Sequence, residues 1–243
     1  MEKTALIEAV GLGLCAWDTI CLLERFPQAN QKVEALASVV CGGGPVPNAL
    51  AIFAKLGGRA AFIGATGDDH AGLSIKSELK AYGVDVSHLK VRKGQRSSCA
   101  YVWVDERNGA RTVALMKGDA EELATEELPE EFIRTSPLLL LDGRNVELSR
   151  CAAALCHQGG GQVVLDAGST RPGLLDLLPY VDHAVVSSDC ARSLYPQRGF
   201  LKALRALQKP GVRSVVITQG DQGGCWREGE YAGVYPAFAL PVL

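Results

Sequence analysis

The 243-residue sequence contains no window approaching the roughly 20 apolar residues that a membrane span needs. Its first residues, MEKTALIEAVGLG, lack the basic start and long apolar core of a signal peptide. Clustered lysine and arginine are missing too. With 25 basic and 27 acidic side chains and a net charge of −2, no field draws the chain to nucleic acid or an anionic membrane. The 8 cysteines form no CxxC, and no histidine stands at ligand spacing to a pair, which argues against a zinc site. Most lie in apolar runs, as expected of buried reduced thiols in a cytoplasmic protein. There is no GxSxG, and the 4 histidines lack the partners of a catalytic triad. A GK[ST] phosphate loop is absent as well.

What is present is a core-forming composition, 47% hydrophobic, in a chain long enough for one large α/β domain. The second half alternates regularly: PLLLLDG, GQVVLDAG, HAVVSS and RSVVITQG read as strands, with helical stretches such as VELSRCAAALCHQG and FLKALRALQK between them. Continuous apolar strands separated by helices imply a mostly parallel sheet covered on both faces. The first half interrupts this rhythm twice. Residues 15–41 include the strand-like VEALASVV (Val33–Val40), and 97–117 read as a hairpin turning at Asn108-Gly109. These two segments form a small β-sheet projecting from a body made of 1–14, 42–96 and 118–243.

Several motifs carry competing readings. GLGLCA (Gly11–Ala16) matches a dinucleotide fingerprint, but WDTICLLERFPQANQ follows where a helix is required. A tight turn is the better reading. Asp18 lies just past the first strand, where α/β sheets bind ligands, and suits either a polyol or a turn cap. CGGGPVPN offers Gly43 and Gly44 for backbone approach, with Asn48 as an N-cap or an amide aimed at a ligand. The helix that follows, Ala49–Leu56, carries one charge, Lys55, and so must be buried on most sides. The corner thus reads as a floor that faces Asp18 across one shared cavity. In GATGDDHAG the acids are expected to cap the next helix rather than hold metal. TQGDQGG (Thr218–Gly224) reads as a ligand loop or a hairpin turn, and the acidic Glu121–Glu131 as a solvated helical face or loop.

In order along the chain, GGPVPN, ALAIFAKLG, FIGATGDDHAG, LKAYGVDVSHL, NGART, LLDGRN and VVITQGDQGG resemble the PfkB-type, ribokinase-like carbohydrate kinases. The resemblance implies a three-layer α/β/α sandwich with a β lid over the sugar, and ATP and Mg²⁺ as cofactors. It also implies a small-molecule sugar as substrate and a homodimer joined through the lid, with Trp103 and Val104 in the clasp. By matching position, Asp18, Gly43, Gly44 and Asn48 would hold sugar hydroxyls. Arg111 would reach in from the lid, and Asp142 would line the same pocket. Ser187, Thr218, Gly220 and Gly223 would lie on the nucleotide side. The family's D-T-x-G-A-G-D stretch, source of the anion hole and the proton-abstracting Asp, does not occur before Leu243. Ser187-Ser188-Asp189 stands where N-x-x-E is usual, and Pro45 where some members carry a polar residue. The expectation is an ATP-dependent sugar kinase sequence, cut before its catalytic motif and inactive alone. The alternative is a sugar-binding or dimerisation protein without catalysis.

Overall fold

The computed structural model describes residues 6–208 and 211–238. Nine strands form the main sheet: β1 (Ala9–Leu12), β4 (Ala60–Gly67), β5 (Leu89–Arg92), β8 (Leu138–Leu141), β9 (Gln162–Ala167), β10 (His183–Ser187), β11 (Ser214–Thr218), β12 (Gly224–Glu228) and β13 (Tyr231–Tyr235). Their order is β13-β12-β11-β10-β9-β8-β1-β4-β5. All pairs from β5 to β11 are parallel, and β12 and β13 add an antiparallel edge. Four more strands form the second sheet: β2 (Ala16–Leu23), β3 (Ala37–Gly43), β6 (Ser98–Asp105) and β7 (Arg111–Met116), in the order β3-β2-β6-β7. This is the expected ribokinase-like architecture of an α/β body with a β lid.

Strand alternation divides the core in two. Ala9, Ala60 and Phe62 pack with Val46 and Leu50 of α1 (Pro45–Lys55) and with Ile75 and Leu79 of α2 (His70–Ala81). The intervening Val10, Leu12, Ala61 and Ile63 face the opposite way. They share a cluster with Ile133 of α3 (Glu130–Arg134), Leu148 and Ala152 of α4 (Val146–Gln158), and Leu177 of α5 (Leu174–Leu177). The same cluster takes in Cys190 of α6 (Ser188–Leu194) and Leu204 of α7 (Phe200–Gln208). Each fully buried Leu, Ile or Phe contributes about 1.5–3 kcal/mol. The continuous apolar strands of the sequence are therefore covered on both sides, as parallel sheets require.

Two boundaries differ from the sequence reading. Helix α1 starts at Pro45, not Ala49, so both prolines sit in its first turn. Amide hydrogens there have no intrahelical acceptor, and proline loses nothing by lacking one. Strand β3 runs Ala37–Gly43 rather than Val33–Val40, so the lid extends to Gly43, and Gly44 is the N-cap of α1. The hairpin between β6 and β7 turns where expected, with Gly109 at φ 68°.

Both lid faces expose apolar side chains. Alternation puts Val40, Tyr101, Trp103 and Met116 on one face and Val39, Val113 and Leu115 on the other, all exposed. All 8 cysteines are free thiols, 4 of them buried. Burial pushes Cys15 to about 12, so it holds its proton at neutral pH and supplies no nucleophile. Among the described residues no helix is long and apolar enough to cross a membrane.

Candidate functional site

The glycines of the corner answer first to the chain itself. A side chain at Gly43 would collide with the Asp18 carboxylate, and one at Gly44 with the Leu14 carbonyl. Gly44 also has φ 108° and ψ 141°, a conformation essentially closed to other residues. The corner is therefore a close crossing of the β1–β2 turn and the β3–α1 turn. GLGLCA is that first turn: β1 ends at Leu12 and β2 begins at Ala16 with no helix between, which removes the dinucleotide reading.

Asp18 lies in β2 opposite Cys41 and Ala100. Its Oδ1 is buried with no hydrogen-bond partner among the described residues. Burial raises its pKa, and among the described residues no donor or cation opposes the shift. An acceptor oxygen kept from water without a donor is costly, by about 1–3 kcal/mol, and a hydroxyl arriving from a ligand would relieve it.

Asp142, just beyond β8, is 6% exposed. Its Oδ2 accepts the Leu14 amide at 2.7 Å and its Oδ1 the Arg144 amide at 2.9 Å. It lines a cavity of about 610 Å³, open mouth included, together with Gly13, Leu14, Ser98, Lys117, Glu122, Arg144 and Asn145. Ser98 pairs with Ala16 and so faces the same way as Asp18, two residues further along β2. Asp18 thus lies on the same lid face as Ser98, which lines the Asp142 cavity at the carboxyl ends of β1, β4 and β8.

Arg111 is placed elsewhere, and Asn48 opens onto a groove that borders Asp18 through Cys41 and Gly43. Asn48 is exposed and lines a separate groove between α1 and α2, with Cys41, Gly43, Lys55 and Glu78. The sequence reading set it across one cavity from Asp18, and the groove reaches Cys41 and Gly43, the neighbours of Asp18. Because α1 starts four residues earlier, its turn carries Val46 and Leu50 onto β1 and swings Asn48 toward α2. Arg111 pairs with Val104 at the tip of the lid, whereas Leu115 pairs with Ala100, the neighbour of Asp18. Four residues of strand, about 13 Å, separate the two levels. Arg111 is exposed there and does not reach the site.

The G-x-D-x-x-G stretch, Gly67–Gly72, anchors the lid. Asp69 caps α2 by accepting the Gly72 amide at 2.9 Å. It also accepts the Ser97 amide at 3.1 Å and the Ser97 hydroxyl at 2.5 Å, at the residue where β6 leaves the body. Burial raises the Asp69 pKa, but hydrogen bonds from the Ser97 hydroxyl and from the Gly72 and Ser97 amides outweigh it, and the net shift is downward. Asp69→Ala should therefore lose about 1–3 kcal/mol of stability at pH 7. The lowered pKa means the contribution is complete above the unfolded value near 4 and fades as pH falls through the folded one. Urea melts of parent and variant at pH 7 and pH 3 check this; an equal gap at both would contradict it.

On the other side of the sheet's carboxyl edge, Ser187 and Thr218 are register partners on β10 and β11. The Ser187 hydroxyl is already engaged, donating to the Gly168 carbonyl at 2.9 Å and accepting the Cys190 amide at 3.0 Å. TQGDQGG is the hairpin turn from β11 to β12. Gly223, at φ 76°, lies against the Tyr235 carbonyl, whereas Gly220, at φ 59°, faces open space where a ligand could approach its backbone.

Sequence reasoning missed Arg144, Lys117 and Glu122. Arg144 stood in LLDGRN, noted only for its pattern, and Glu122 in an acidic run assigned to solvent. Glu122 instead lies between Lys117 Nζ (3.7 Å), Arg144 Nε (3.8 Å) and Asn145 Nδ2 (3.3 Å). Asp166 at the end of β9 was also overlooked. Burial, then the nearby Asp142 charge, raises its pKa.

The sequence profile described as pfkB family carbohydrate kinase matches residues 7–242. The chain belongs to this family. Relatives include the ribokinase of Bacillus subtilis strain 168, 22% identical over 232 residues, covering 94% of this chain and 77% of that protein. An ATP-dependent ribose-1-phosphate kinase of Halopiger xanaduensis is 26% identical over 163 residues, covering 67% of this chain and 55% of its own. The chain therefore spans between about half and three quarters of the length of these two relatives. A ribokinase from Arabidopsis thaliana, solved with ribose and ATP, superposes with a TM-score of 0.78 at 22% identity, over 96% of this chain and 78% of that one. At that identity the superposition speaks for the fold.

Proposed function

We propose that these residues form the acceptor site and part of the nucleotide site of an ATP-dependent carbohydrate kinase, one that transfers a γ-phosphate to a sugar hydroxyl. The observation that carries the reading is the Asp18 carboxylate. Its Oδ1 is buried with no donor among the described residues, on the same lid face as Ser98 of the Asp142 cavity, in a chain of the pfkB family. Asp18 and Asp142 would accept sugar hydroxyls, and Gly43 and Gly44 would shape the floor by letting Asp18 and Leu14 close in. Arg111, at the tip of the lid, is not assigned to the sugar. ATP would lie along Ser187, Thr218, Gly220 and Gly223, at the strand ends where α/β sheets take ligands. Among the described residues no cluster of three or more His, Cys, Asp or Glu side chains is suited to a metal. Mg²⁺ would therefore be held largely by the nucleotide phosphates and water, its usual arrangement at such sites.

No D-T-x-G-A-G-D stretch occurs among the 243 residues. A sugar hydroxyl needs a base within hydrogen-bond reach, and the γ-phosphoryl needs preorganised donors. We therefore expect the 243-residue chain, tested alone, to turn over at least a thousandfold more slowly than the typical 1–100 s⁻¹ of a kinase. A coupled assay with ATP, Mg²⁺ and a panel of pentoses and hexoses tests this, run beside thermal melts with the same sugars. Sugar-dependent stabilisation is the expected result, since a ligand of the folded state alone raises its melting temperature. No shift with any sugar would contradict the acceptor site, and ordinary turnover would contradict the expected inactivity.

The exposed apolar faces of the lid favour a second role, dimerisation through that sheet. Trp103→Glu should then convert a dimer to a monomer in sedimentation equilibrium. A parent chain that is monomeric at tens of micromolar would refute it.

A further inference from the structure

We propose that Glu78 is a positioning residue for sugar binding: it holds the end of β3 at Gly42 and so keeps the Asp18 carboxylate seated against Gly43. The inference rests on the acceptor-site reading and adds the residue that supports it. In CGGG each glycine makes room for one group. Gly43 admits the Asp18 carboxylate and Gly44 the Leu14 carbonyl, while a side chain at Gly42 would strike the Glu78 carboxylate. Strand β3 is an end strand of the lid, so its outward amides meet no further strand. The Gly42 amide donates instead to Glu78 Oε2. Glu78 is half-buried on α2, and among the described residues its other hydrogen-bond partner is the Tyr82 hydroxyl, 3.4 Å from Oε1.

The place of Glu78 on α2 gives this bond its reach. The same helix already holds the other flank of the lid, because its N-cap Asp69 accepts the Ser97 amide and hydroxyl where β6 begins. Glu78 lies about 13 Å further along the helix, at 1.5 Å per residue, and takes the end of β3. Strand β2 runs between β3 and β6, and Asp18 pairs with Cys41 on one side and Ala100 on the other. One helix thus fixes both neighbours of the strand that carries Asp18. Cys41 lies close to both carboxylates: burial, then the Glu78 charge, then the Asp18 charge, raises its pKa. Asp18 Oδ1 is buried with no donor among the described residues. A carboxylate in that condition gains by moving toward water. Pinning β3 and β6 denies β2 that movement and leaves the oxygen for a sugar hydroxyl. Binding groups need such support, since a shift of about 1 Å is enough to lose a productive contact.

The test uses the 243-residue chain and needs no turnover. Dissociation constants are measured by calorimetry for the tightest binder among ribose, fructose and glucose. Glu78→Ala should weaken binding roughly tenfold, because the Asp18 contact is loosened rather than removed. Glu78→Gln keeps an acceptor for the Gly42 amide and should bind within about threefold of the parent. Glu78→Asp, one methylene shorter, should fall between the two. In an Asp18→Asn background, Glu78→Ala should cost less than about twofold more, since Glu78 acts through Asp18. Amide hydrogen exchange at Gly42 should be slow in the parent and in Glu78→Gln, and fast in Glu78→Ala. Parent-like affinity of Glu78→Ala would overturn the proposal while leaving the acceptor site intact. So would equal losses in both backgrounds, or a Glu78→Gln variant as weak as Glu78→Ala. Should the alanine variant fail to fold, Glu78→Asp decides, and parent-like affinity there overturns the proposal equally. A parent chain that binds none of the three sugars would remove the acceptor site, and the role of Glu78 with it.

Discussion

Asp18→Asn should weaken sugar binding roughly ten- to hundredfold while leaving the free chain at least as stable as the parent. The two effects share one cause. Asp18 holds a charge partly removed from water, with an oxygen that meets no donor among the described residues. A sugar hydroxyl is the missing donor, and its hydrogen bond to a carboxylate is worth about 1.5–3 kcal/mol. Without ligand the same charge is a liability. Burial raises the folded pKa above the unfolded value near 3.9. The folded state therefore binds the proton more tightly, and stability is lost as pH rises through the folded pKa. Asparagine carries no charge to desolvate, so its advantage in the free chain, up to about 1 kcal/mol, should be full at pH 7 and vanish near pH 3. Thermal melts at both pH values, with and without saturating sugar, check both halves. A variant that binds sugar like the parent, or whose stability relative to the parent is the same at both pH values, would contradict the account.

Gly44→Ala should remove roughly 2–4 kcal/mol of stability. The backbone there has φ 108° and ψ 141°, and adopting it without glycine costs about 1–3 kcal/mol. The new methyl would also collide with the Leu14 carbonyl, a backbone atom that cannot rotate away. Gly57→Ala is the control: its φ is 97°, but nothing lies within 4 Å of the added carbon. It bears the conformational penalty alone. The difference between the two denaturation midpoints isolates the crossing of the β1–β2 and β3–α1 turns. Equal midpoints would mean that the crossing is loose and that the floor beneath Asp18 is not rigid.

These residues also show what was legible in the sequence. The apolar runs of β8–β11 and the helical stretches between them carried the body, because a parallel sheet buried on both faces has little freedom of composition. The turn at Asn108-Gly109 carried the lid hairpin for an equally local reason, since glycine supplies the positive φ. Asp18 and Asp142 were singled out for their places beside strand ends, and the structure puts Asp142 just past β8 and Asp18 within β2. The start of α1 was not, because two prolines made it look later than Pro45, and Asn48 therefore lies within the helix rather than ahead of it. Helical rotation of 100° per residue turns a misplaced boundary into a different face. Arg111 failed by register: the turn was read correctly, but pairing with Val104 places it at the wrong end of its strand. Arg144, Lys117 and Glu122 come from three separate segments, and only the folded chain brings their charges to one cavity.

The decisive measurement is a crystal structure of the 243-residue chain with the tightest-binding sugar. The account places sugar oxygens within hydrogen-bond distance of both the Asp18 and Asp142 carboxylates, under the lid root at Ser98. A sugar seated instead beside Asn48 in the α1–α2 groove, with Asp18 still unpartnered, would contradict it.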